Sequence, residues 1–77
     1  MKDISLNDIK IGKSCIIKKI NLKGSIRRRL LDIGLIEGTK VQTVLISPFG
    51  DPKAFNIRGA IIALREEESK NILVEVC

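Results

Sequence analysis

The chain has 77 residues, 44% hydrophobic and 30% charged, with two cysteines, no histidine and a formal net charge of +5. That length makes one domain, 1–77, with no room for a second, and the generous supply of Ile, Leu and Val argues against disorder. Without histidine the commonest general base is missing, and two cysteines so far apart form neither a disulfide framework nor a zinc knuckle. No apolar run approaches the roughly 20 residues of a membrane-spanning helix. The opening MKDISLNDIKIG has no apolar signal region, so a cytoplasmic location is expected.

In chain order, SLNDIKIGKS reads as a short leading segment in which Ser5 or Asn7 starts a turn, Gly12 ends it and Leu6, Ile9 and Ile11 anchor it to the core. Ser14–Ile20 is the first strand candidate, with adjacent Ile16 and Ile17 suggesting burial on both faces at its start. GSIRRRLLDIGLIEG, Gly24 to Gly38, is the one helical stretch. Ser25 is placed to cap its start, Ile26, Leu30 and Ile33 make an apolar stripe, and Gly34 ends it in the left-handed conformation with Leu35 folding back. About three turns are too few to stand alone in water, so the stripe must lie on a sheet. Ile36-Glu37-Gly38 reads as a tight turn. Lys40–Ser47 is the clearest strand, Ser47–Pro52 a hairpin loop, and Ala54–Arg58 a strand with Phe55 and Ile57 inward. AIIALR makes a fourth strand. REEESKN is a polar helical turn, acidic at its start as the helix dipole prefers. ILVEVC closes the chain as a fifth strand. The expectation is a mainly β fold: a small five-stranded barrel of the SH3-like or OB-like kind with one inserted short helix.

Charge is uneven, +6 over residues 1–40 and −1 over 41–77, with eight cations and no acid between Lys10 and Arg29. Arg27, Arg28 and Arg29 crowd the positive end of the helix dipole, and Asp32 offsets them only weakly through Arg28. They are either a solvated basic face or, with Lys23, a docking surface for an acidic partner. Phe49, between Pro48 and Gly50, is either a plug over the barrel mouth or an exposed anchor for a partner protein. No nucleophile has a base, Glu66 to Glu68 diverge around a helical turn, and no phosphate-binding glycine motif occurs, so no enzyme is expected. Two Phe with no Tyr or Trp cannot build a proline-peptide groove or stack bases well. Non-specific binding of nucleic acid by a small basic barrel remains the alternative function.

Several ordered motifs carry a resemblance: Arg29-Leu30, Ile33-Gly34-Leu35 with Gly38, Pro48 with Gly50-Asp51-Pro52, Gly59 with Ile62 to Arg65, and Val74 with Val76. In these the chain resembles the FeoA family of small ferrous iron transport proteins over nearly its whole length. The resemblance implies an SH3-like barrel in the bacterial cytoplasm, and an accessory of the membrane ferrous iron permease FeoB, which carries a cytoplasmic GTPase domain. It implies transition-metal binding too, of Fe(II) or another ion, although the residues offer no ligand cluster and no metal ligand is assigned. It carries over no catalytic residue.

Overall fold

In a computed structural model residues 4–77 are described, so the first three residues of the expected 1–77 domain lie outside the description. A two-residue strand β1 (Ile4–Ser5) runs into a 3₁₀ turn over Leu6–Asp8. Then follow β2 (Ser14–Ile20), α1 (Gly24–Asp32), β3 (Lys40–Ile46), β4 (Lys53–Ile57), β5 (Ala60–Leu64), a single turn α2 (Glu66–Ser69) and β6 (Ile72–Val76). All pairings are antiparallel, in the order β1-β6-β2-β3-β4-β5. The sheet thus has six strands where the sequence suggests five, because Ile4–Ser5 adds a short edge to β6.

Side-chain alternation explains the core and also where it breaks. Cys15 and Ile17 point inward from β2, and a register shift between Ile17 and Lys19 lets Ile20 return to the interior three residues later. A second shift, between Thr43 and Leu45, keeps Val41 and Thr43 inside and turns Leu45 out, where it is 60% exposed. With Phe55, Ile57, Leu64, Ile72 and Val74 these residues form one buried cluster, closed below by Leu6 and Ile9. Full burial of each large side chain contributes about 1.5–3 kcal/mol. Ile11, expected among the anchors, is exposed instead: Gly12 donates to the Thr43 carbonyl (2.8 Å), and the chain has already turned onto β3.

The helix lies on this cluster by the expected stripe, Leu30 fully buried and Ile26 and Ile33 packed at its margin. Its end is a hydrogen-bonded left-handed cap. The Gly34 amide donates to Leu31 (3.0 Å), the Leu35 amide to Leu30 (2.9 Å), and Gly34 has φ +94°. A β-carbon at Gly34 would also lie 2.6 Å from Cδ of Arg58, in the β4–β5 turn, so that glycine joins two distant parts of the chain. The start differs from expectation. Ser25 is inside the helix and no side chain caps it; Gly24, at φ +72°, makes the entering turn by backbone alone.

Candidate interaction surface

The three consecutive arginines have three different environments. Arg27 Nη1 donates to the Ile20 carbonyl at 2.8 Å, fastening α1 to the end of β2. Arg29 Nη2 lies 3.7 Å from Glu68 Oε2, and Glu68 accepts the Arg65 amide through its other oxygen. Arg28 is exposed and enters neither of the ion pairs formed among the described residues, Lys18–Glu75 and Arg29–Glu68. Its expected pairing with Asp32 is not formed, although both line one open face together with Gly24, Ser25, Arg27, Arg29 and Leu31. Lys23, also exposed, precedes the helix. Among the described residues Lys23, Arg27 and Arg28 have no acidic partner; Arg27 is engaged by a backbone carbonyl, which leaves Lys23 and Arg28 as the cations of this element that no hydrogen bond or ion pair engages.

Phe49 is 95% exposed, which overturns its reading as a core plug. The interior is already filled by Phe55, and the β3–β4 loop is closed by its own hydrogen bonds. The Gly50 amide donates to Ser47 (2.8 Å) and the Ser47 hydroxyl to the Asp51 carbonyl (2.8 Å), which holds the intervening Phe49 away from the barrel. Asp51 also reaches beyond its own loop, where its Oδ1 accepts the Glu66 amide at 2.8 Å and so caps α2. The motif Gly50-Asp51-Pro52 is thus structural. The turn α2 ties the loop to the basic helix, through Asp51 on one side and the Glu68–Arg29 pair on the other.

What sequence reasoning did not single out is a set of apolar residues on the outside of β3, β4 and β5. Leu45, Ala54 and Ala63 align across the three strands, with Ile61 beside them, and Leu45 and Ile61 are each about 60% exposed. The only signal was the imperfect alternation VQTVLI, which marks the bulge without saying which residue it expels.

For metal chemistry the described residues offer no fitting donor set. Among the described residues no three Cys, Asp or Glu side chains gather where they could hold an ion, and the sequence has no histidine. Cys15 is buried, and burial first, then the nearby Cys77, pushes its thiol up to about 11, so it is neutral and a poor ligand near pH 7. No described helix is long and apolar enough to cross a membrane.

Comparison with known proteins places this arrangement. Over 71 residues the chain is 28% identical to the "Fe(2+) transport protein A/Fe(2+) transporter FeoB fusion protein" of Porphyromonas gingivalis. The match covers 92% of the chain but only 8% of that relative's length. The solution structure of FeoA from Chlorobium tepidum superposes with a TM-score of 0.90 at 30% identity, covering 95% of this chain and 70% of that one. The zinc-complexed FeoA of Stenotrophomonas maltophilia, described as an SH3 domain protein, superposes at 0.79 with 26% identity, covering 94% and 89%. The mainly β, SH3-like expectation holds. The FeoA domain model matches residues 4–76, and with those strands, that capped helix and that loop the chain belongs to the FeoA family, which is linked to ferrous iron transport.

Proposed function

We propose that this protein is a non-enzymatic accessory of bacterial ferrous iron uptake, acting in the cytoplasm by docking on the GTPase-bearing part of a FeoB-type permease and modulating it. The observation that carries this reading is the Porphyromonas gingivalis relative, in which transport protein A and the FeoB transporter are one polypeptide. Fusion keeps two partners at high effective concentration, which serves proteins that act on each other. The outward chemistry suits the role: Lys23 and Arg28 steer an acidic surface, Arg27 and Arg29 hold the helix beside which those two stand, and Phe49 offers an apolar anchor from the β3–β4 loop. Iron is the permease's cargo in this reading, not a resident cofactor of the barrel.

Isothermal titration of the permease's cytoplasmic domain with this protein tests the proposal. Saturable binding that weakens as salt rises, with a changed rate of GTP hydrolysis in the complex, is the expected result. Absence of binding at low salt overturns it.

A further inference from the structure

Among the described residues β5 forms an unpaired edge of the sheet. β5, Ala60–Leu64, is the last strand of the sheet and carries no charge and no proline, the usual protections of an exposed edge. Its hairpin with β4 turns through Arg58 and Gly59, at φ +52° and +90°, a two-residue turn of the type I′ form. In such a hairpin the residues flanking the turn, Ile57 and Ala60, exchange hydrogen bonds, and the alternation continues along the ladder. Phe55 and Ile62 are therefore hydrogen-bonded to each other, whereas Ile61 and Ala63 direct their N–H and C=O groups to the free side. Both are exposed, and among the described residues neither makes a backbone bond beyond the β4 ladder.

We infer that this edge joins the β5 edge of a second copy in an antiparallel two-fold dimer centred on Ile62. In that register Ile61 faces Ala63 of the partner subunit and Ala63 faces the partner's Ile61, so every outward N–H and C=O of the edge finds an acceptor or donor. The outer apolar residues of the two sheets, Leu45, Ile61 and Ala63, become one continuous surface. Charge chooses the same arrangement. Arg58 stands in the turn before the strand, and Arg65, Glu66 and Glu67 stand beyond its end with a net charge of −1, so antiparallel pairing brings the positive end of each edge near the negative end of the other on both sides of the axis. A parallel pairing would set like ends together.

Sedimentation equilibrium from about 10 µM to about 1 mM, where weak association is populated, reads the outcome. The mass is expected to rise from 8.5 kDa toward twice that value. In amide hydrogen exchange at the two ends of that range, the Ile61 and Ala63 amides gain protection with concentration. The variant A63P, which removes one edge donor, stays at the monomer mass. E66K, on the exposed surface, puts a positive charge at the negative end of the edge and weakens association about 2–5-fold, the span of an exposed ion pair. A mass of 8.5 kDa at every concentration overturns the inference. So does a dimer whose Ile61 and Ala63 amides exchange freely, which would place the interface elsewhere.

Discussion

The α1 helix and the β3–β5 flank invert each other's first appearance. By composition α1 is the binding element, with three cations in a row, and the flank is ordinary core-forming strand. In the structure two of those cations are engaged by the protein itself, at the Ile20 carbonyl and at Glu68, while the flank exposes Leu45, Ile61 and the wholly unburied Phe49. Charge in a sequence shows what a residue can attract, and only the fold shows whether the attraction is already met. Apolar residues obey the same rule in reverse, since a single bulge moves one from core to surface.

The contrast can be broken at its foundation first. Leu30→Ala removes the buried anchor of α1 and is expected to cost about 2–5 kcal/mol in urea unfolding. Phe49→Ala, on the exposed flank, should leave the unfolding midpoint where it was, within about 0.5 kcal/mol. Gly34→Ala probes the point where the two regions meet. The left-handed φ alone costs about 1–2 kcal/mol in a residue with a β-carbon. The clash with Arg58 adds to it, so removing the Arg58 side chain as well should recover part of the loss. Arg27→Ala against Arg28→Ala sharpens the division within the helix. Losing the bond to Ile20 is expected to cost about 1 kcal/mol or somewhat more. Arg28→Ala should be neutral within about 0.5 kcal/mol. Equal losses for the two would mean that the arginines are not divided as described.

Much of this fold was legible because its signals are local. Ile26, Leu30 and Ile33 announced the helix face, Gly34 its end, and Phe55 and Ile57 the inward side of β4, each through spacing or a backbone conformation that few residues tolerate. The failures have two causes. Ser25 as a cap failed locally, because Gly24, one residue before it, makes the helix entry by its own backbone. Ile11 as an anchor and Phe49 as a plug depended on where other segments lie: the Gly12–Thr43 hydrogen bond and the filled interior around Phe55 decided them. The candidate surface was half legible for the same reason. Lys23, Arg28 and Phe49 emerge exposed as a docking reading requires, but the engagement of Arg27 and Arg29 rests on β2 and α2, which lie apart from them in sequence.

Residues that hold the helix and residues left free on the surface are separate sets, and the proposed docking calls on the second. The most direct test is the dissociation constant of the R28A/F49A double variant for the cytoplasmic domain of a FeoB-type permease, measured beside its thermal midpoint. An unchanged midpoint with affinity weakened by about tenfold or more, which is about 1.4 kcal/mol of binding free energy, is the predicted result. Wild-type affinity in a fully folded double variant would contradict it.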